Sequence, residues 1–173
     1  MSYIDLIEVK LYLGITHSNI DEQLNVFIDE AEAIINNICE TNLLEQTYTQ
    51  TGTVDNNTNV ILNHSKINDI ISVEIDGVGT DYVYNGFGII SIDGAGDYEV
   101  VYKSGYTTVP NDIKLVAKEI VFMLLKQSNL DKGILGLNSK SSSSSGIVSG
   151  SDSYKDMYAE WNKRLDKYKL RAY

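Results

Sequence analysis

The 173-residue chain has few of the residues that build most active sites. It contains one cysteine, Cys39, and two histidines, His17 and His64. A single cysteine cannot form an internal disulfide, and with two histidines it falls short of a zinc pattern. Neither histidine has a nucleophile or a base near it in the sequence. We therefore expect no catalytic residues, no metal and no cofactor, and we expect Cys39 to pack as a buried thiol.

Positive charge is also scarce. The net charge is −10, and the only arginines are Arg164 and Arg171. Residues 1–150 hold 8 Lys or Arg against 20 Asp or Glu, a net charge of −12, whereas residues 151–173 hold 6 against 4, a net charge of +2. A body this acidic repels the phosphate backbone of DNA. Residues 1–150 also contain no arginine, the residue that most often reads base edges. The composition disfavours sequence-specific DNA binding. It is still compatible with a conduit through which DNA passes without binding.

Long apolar runs are absent. No segment approaches the roughly 20 apolar residues that span a membrane. The opening MSYIDLIEVK is acidic where a signal peptide would be basic. We expect a soluble, unexported protein without membrane contact. The length suits one domain, residues 1–173, which would bury roughly 70% of the surface of its unfolded chain.

Apolar residues recur at three- and four-residue spacing in four segments, as in helices with one buried face. The sequence predicts helices at about 6–13, 20–41, 110–128 and 152–170. Asp5 is predicted to cap the first helix, and Gly14 suits its left-handed end. Ser18 and Asp21 resemble a capping box at the start of the second.

The third helix has the most regular apolar stripe and is predicted to pack on the second as the central pair. Pro110 suits its first position, where a backbone N–H would have no partner, and Asp112 adds a carboxylate to the positive end of the helix dipole. The residues expected to define the core are Leu24, Ile28, Ile35, Pro110, Ile113, Ile120 and Leu124.

Between the second and third helices, at about 48–103, the apolar period shortens toward two, and turn formers such as Asp76-Gly77 separate short runs. A small antiparallel sheet of hairpins is predicted there. The fold class expected is α+β, mainly a bundle of about four helices with this sheet as an insert. Residues 129–150 are rich in Ser and Gly, including Ser141 to Ser145, and are predicted to form a flexible loop.

The last helix is unusually aromatic and is followed by basic residues. Aromatic residues and arginine often carry interface energy, so this segment is a candidate docking element. The candidates are Trp161, Leu165, Tyr168, Leu170, Arg171 and Tyr173. The alternative is that helix four completes the bundle, which would place Trp161 and Leu165 in the core and leave only the last residues free.

The order of elements resembles the head-tail connector (adaptor) family of tailed bacteriophages. The resemblance covers about residues 3–127, and its most specific pieces are Ser104-Gly105-Tyr106, Val109-Pro110-Asn111-Asp112 and the pattern from Asp21 to Ala31. The Ser-rich segment and the long strand insert depart from the family pattern.

The resemblance implies a structural protein without enzymatic activity. Twelve copies would form a ring at the virion neck, after a period in the host cytoplasm during assembly. The implied partners are the portal protein, the next neck (stopper) or tail protein, and other copies of the chain. DNA would only pass through as cargo. The alternatives are a non-enzymatic protein–protein interaction module of a host or prophage and, less favoured, a small-molecule enzyme.

Overall fold

A computed structural model describes residues 2–55, 58–128 and 150–170. The chain divides into two compact units. The helical unit is built from Met1–Glu40 and Val109–Lys169, and the sheet unit is built on Thr41–Thr108. The sheet unit is thus inserted in sequence between the two halves of the helical unit. The predicted Ser/Gly-rich loop falls on residues that, except for Gly150, lie outside the described ranges.

In its described part the helical unit holds four α-helices and one 3₁₀ turn. They are α1 (Leu6–Leu13), α2 (Asp21–Cys39), α3 (Asn111–Gln127), α4 (Gly150–Leu165) and the turn Asp166–Tyr168. Asp5 caps α1, because its Oδ1 accepts a hydrogen bond from the Glu8 backbone N–H at 2.7 Å, and Gly14 ends the helix with φ of 70°. None of the described helices is long and apolar enough to cross a membrane.

The predicted capping box of α2 is wrong. The N-cap is Ile20, and no side chain caps the helix. Ser18 contributes only its backbone carbonyl, which accepts from the Asp21 N–H at 3.2 Å. The Asp21 carboxylate instead accepts a hydrogen bond from Lys10 Nζ of α1 at 2.7 Å. Its side chain therefore joins α1 to α2 rather than closing the first turn of α2.

The core of the helical unit lies between α2 and α3, with α1 and α4 packed beside them. Five of the seven expected core residues are buried: Leu24, Ile28, Ile35, Ile113 and Ile120. Pro110 is half-buried and is the N-cap of α3, so the helix begins one residue later than expected. Leu124 is also half-buried, and the next residue, Leu125, takes the fully buried position at this end of α3.

The sheet unit contains two antiparallel sheets. Its strands are β1 (Gln46–Val54), β2 (Thr58–Ile61), β3 (Ile67–Ile75), β4 (Val78–Gly79), β5 (Tyr82–Gly86), β6 (Ile89–Ile92) and β7 (Gly96–Ser104). One sheet has the order β1-β7-β3-β4, and the other has the order β2-β6-β5. Inward residues of both sheets share one core, made of Val54, Val60, Leu62, Val73, Ile90, Ile92, Val100 and Tyr102. The two sheets therefore pack on each other as in a small β-sandwich.

The expectation of a mainly helical bundle is wrong, because about 31% of the residues are in strands. The sheets have their own core and are not an appendage of the helices. The prediction fell short because β1 reads QTYTQTGTV, in which Tyr48 and Val54 are the only large apolar residues, so the strand gives little hydrophobic alternation. Its pairing with β7 joins residues about fifty positions apart, from Gln46 with Ser104 to Val54 with Gly96. Local patterns do not reveal such long-range pairing.

The Ser104-Gly105-Tyr106 motif lies at the end of β7 and forms backbone hydrogen bonds with the residues that precede β1 and β3. The Gly105 N–H donates to the Lys66 carbonyl at 3.0 Å, and the Tyr106 N–H donates to the Leu43 carbonyl at 2.7 Å. Gly105 has φ of +118°, and a Cβ there would lie 2.4 Å from the Leu44 carbonyl oxygen. The motif is a packing junction inside the sheet unit, and glycine is required at its centre.

Candidate docking segment at the C-terminal end

Two carboxylates on α3 receive the C-terminal part of the described chain. Asp112 and Glu119 are seven residues apart, which places them on one face of the helix, two turns from each other. The segment from Trp161 to Lys169 faces this pair. We call it the docking segment, because it contains three of the six residues that the sequence proposes for partner binding: Trp161, Leu165 and Tyr168.

Glu119 binds the first half of the docking segment. The Trp161 Nε1–H donates to Glu119 Oε2 at 3.0 Å, and Arg164 Nη1 donates to both carboxylate oxygens, at 3.0 and 2.7 Å. These groups are only partly exposed, so solvent screens the pair less than it would a surface salt bridge. The charge-assisted hydrogen bond that the buried indole donates to Glu119 fixes the rotation of α4 on α3.

Asp112 binds the second half. Tyr168 donates its hydroxyl to both Asp112 oxygens at 2.7 Å, and Lys167 Nζ lies 2.7 Å from Oδ2. Burial alone would raise the pKa of the Asp112 carboxyl, but the hydrogen bonds from Lys167 and Tyr168 outweigh it and hold that pKa below its usual value. Burial and the neighbouring carboxylate raise the pKa of Tyr168 to about 12. Asp112 is therefore ionised and Tyr168 protonated at neutral pH.

The structure divides the six proposed docking residues into three groups. Trp161 and Leu165 are each 1% exposed and belong to the core of the helical unit. Tyr168 and Leu170 are half-buried. Arg171 and Tyr173 lie outside the described residues. The burial of Trp161 and Leu165 is the arrangement expected if helix four completes the helical core. Both residues hold α4 in place, and neither can meet a partner without leaving that core.

Sequence reasoning missed the role of Glu119 and assigned Asp112 only to the helix dipole. Asp112 Oδ1 does accept from the Ile113 N–H at 3.1 Å, so its place at the helix start is confirmed. Its second task, binding Tyr168 and Lys167, was not expected. The sequence did contain a pattern that could have indicated these contacts. Two carboxylates lie seven residues apart on α3, and two cations, Arg164 and Lys167, lie three residues apart near the end of the chain.

The nucleophile and base candidates are packed into the two units. Burial raises the pKa of the Cys39 thiol to about 11, and Lys169 offsets this only in part. In the sheet unit the His64 ring stacks on Tyr48, with 3.7 Å between centroids, and its Nδ1 lies 2.8 Å from the Tyr102 hydroxyl. Burial lowers the pKa of His64 and raises that of Tyr102 to about 12. Cys39, Tyr102 and His64 are therefore neutral at pH 7.

No group of three or more His, Cys, Asp or Glu residues within the described ranges could hold a metal ion. The two α3 carboxylates that face the docking segment are occupied by the chain's own cations, indole and hydroxyl, so these contacts pack the segment onto the helical unit.

The family model for head completion proteins matches residues 2–138. That span covers α1, α2, the whole sheet unit and α3, and it ends before α4 begins. The chain belongs to the head completion protein family. A comparison with curated protein sequences gave no significant match.

Among solved structures, a chain from the neck of an empty GTA particle, computed with C6 symmetry, is similar in fold. The TM-score is 0.51 over 99% of this chain and 92% of that chain, at 12% sequence identity. The resemblance to head-tail connectors is therefore confirmed. Membership of the family makes this head completion protein a structural protein of the phage particle, and the solved structure shows that its fold recurs in the neck of a particle.

Proposed function

We propose that copies of this head completion protein form a dodecameric ring between the portal of the head and the next neck or tail protein. Membership of the family, carried by the match over residues 2–138, is the observation that supports this most. The similar GTA neck was computed with C6 symmetry, which is compatible with rings of six or twelve copies. The ring interface would be heterologous, with one surface of each copy meeting a different surface of the next.

The acidic body suits a channel that DNA crosses. Residues 1–150 carry a net charge of −12, and α2 exposes Glu22, Asp29 and Glu30. Phosphate backbones bind where cations replace counterions, and the acidic body offers few cations. We infer that DNA passes as cargo without sequence readout. We also infer that the protein has no enzymatic role, because Cys39 and His64 are packed into the two units.

The end of the chain is proposed as the element that docks on the portal or on an adjacent neck subunit. Since Trp161 and Leu165 are buried, docking would rest on Leu170, Arg171 and Tyr173, with Tyr168 at the edge. Glu119 and Asp112 fix the segment that leads to these residues. The buried helix is then the anchor, and the last residues are the contact.

Deletion of residues 169–173 tests this arrangement. Portal binding, measured by co-sedimentation with purified portal rings, should fall at least tenfold, which corresponds to about 1.4 kcal/mol. The melting temperature should change little, because Trp161, Leu165 and their contacts remain. The matched control is Lys163→Ala, which removes one exposed cation from the same segment without shortening it. Full affinity in the deletion variant would exclude the chain end as the docking element.

A further inference from the structure

Strand β5 (Tyr82–Gly86) forms an open edge of the sheet unit. It is the last strand of its sheet and pairs only with β6 among the described residues. Its neighbour across the sandwich, β3, pairs with β4 only through Glu74 and Ile75, so the first part of β3 is also open on that side. Unpaired backbone N–H and C=O groups at such an edge can accept another strand.

A cleft lies between these two edges, on the inner face of β5. Its volume is about 230 Å³, and Tyr82 and Tyr84 line one wall. The other wall is the start of β3, with Ile67, Asn68, Asp69 and Ile70. Tyr82 and Tyr84 alternate along the strand and so point to the same face. The cleft offers two isoleucines and two tyrosines beside the Asn68 amide and the Asp69 carboxylate.

A second cleft of about 390 Å³ lies on the same sheet, beside the start of β5 and the end of β6. Asp81, Tyr82 and Val83 line it from the β5 side, and Asn59, Ser91, Ile92 and Asp93 complete its lining, so Tyr82 borders both clefts. Val83 is 62% exposed. A strand added to β5 would send alternate side chains toward the two faces of the sheet, and both clefts lie along this edge, with Tyr82 bordering each of them. Three carboxylates, Asp69, Asp81 and Asp93, line the two clefts, and their described lining includes no lysine or arginine.

The other side of the sandwich is closed by a side chain. Gln50 of β1 donates from Nε2 to the Ile61 carbonyl at 2.9 Å and accepts from the Asn63 N–H at 2.8 Å. It thereby joins β1 to the chain that leaves β2. No side-chain bridge of this kind joins β5 to β3 in the described structure. The open edge is therefore a local feature and not a general property of the two sheets.

We propose that the β5 edge receives an extended, basic segment from the neighbouring neck or tail protein, which adds as a strand and alternates apolar residues with Lys or Arg. The free edge specifies an extended backbone, the tyrosines and Val83 specify apolar side chains, and the three aspartates specify positive charge. A second copy pairing edge to edge is disfavoured, since it would bring the same aspartates together. Only the location of the partner rests on the proposed function.

The test uses the full chain and synthetic peptides as probes. An alternating Lys-Val heptapeptide should bind and slow amide hydrogen exchange at Tyr82–Gly86. The same peptide with Glu in place of Lys should bind at least tenfold more weakly, and a central proline should abolish the exchange protection.

Charge reversal locates the site. Asp69→Lys combined with Asp81→Lys should weaken binding of the Lys-Val peptide at least tenfold. Asp29→Lys combined with Glu30→Lys makes the same change in net charge on the exposed face of α2 and should leave affinity within about twofold. Equal loss in both variants would mean general attraction to an acidic protein and would overturn the proposal. Absence of binding or of protection at β5 would overturn it as well.

Self-pairing is a separate outcome. If sedimentation velocity shows dimers of the wild type that the Asp69 and Asp81 variant abolishes, a second copy occupies the edge and the proposed partner is wrong. The peptide experiments are done without portal protein. Peptide binding can therefore fail while ring formation on the portal succeeds, and peptide binding can succeed while ring formation fails.

Discussion

Two adjacent leucines at the end of α3 should differ sharply in their contribution to stability. Leu125 is 0% exposed, whereas Leu124 is half-buried. Truncating a fully buried leucine to alanine costs about 2–5 kcal/mol, through lost burial and the cavity left behind. For a chain of this size about 3 kcal/mol corresponds to a fall in melting temperature of roughly 6–12 °C. Leu124→Ala should cost about 1 kcal/mol and shift the melting temperature by at most about 4 °C.

The chain supplies its own probe for this comparison. Trp161 is the only tryptophan, is 1% exposed and belongs to the helical unit, so its fluorescence reports on that unit. Both substitutions are Leu→Ala in the same turn, so their difference in helix propensity largely cancels. Equal shifts for the two variants, or a larger shift for Leu124→Ala, would refute the packing of α3 described above.

Three further predictions concern the sheet junction, the docking segment and the acidic body. Gly105→Ala should destabilise the sheet unit by roughly 1–3 kcal/mol, seen as faster amide exchange in β7, whereas Gly79→Ala, where a Cβ has nothing within 4 Å, should not. Because the folded pKa of Asp112 is depressed, its contribution is present above pH ~4 and lost below it. The difference in Trp161-detected melting temperature between wild type and Asp112→Asn should thus shrink between pH 5 and pH 3, and a constant difference would contradict the assignment. The free protein should be monomeric in dilute low-salt buffer and associate more readily as NaCl rises from about 0.05 M to about 0.5 M, because screening weakens repulsion between acidic bodies. A stable ring at low salt without portal, seen by light scattering, would disprove this.

The helices were the predictable part of the fold, because their signals are local. The structure has α1 at Leu6–Leu13, the predicted range, with Asp5 and Gly14 as its caps. Where a side chain had a distant partner, local reasoning failed: Asp21 binds Lys10 of another helix instead of capping its own. Leu124 and Leu125 show a second limit, since a broad stripe does not say which of two neighbours faces the core.

The sheets and the docking segment depend on contacts that no short pattern carries. The shared core of the two sheets takes only one or two residues from each strand that contributes to it, among them Val54, Val60 and Val100. The basic end of the chain was recognised, but Arg164 and Lys167 bind Glu119 and Asp112 of the same chain. Composition identified the charges and could not say whether their partners were internal or external.

Electron microscopy of the protein mixed with purified portal rings of the same phage tests the neck assignment most directly. We predict a ring of additional density, with the symmetry of twelve copies, on the tail-facing end of the portal. The helical and sheet units should both be recognisable in each copy. Portal rings that stay bare at saturating concentrations of folded protein would contradict the assignment.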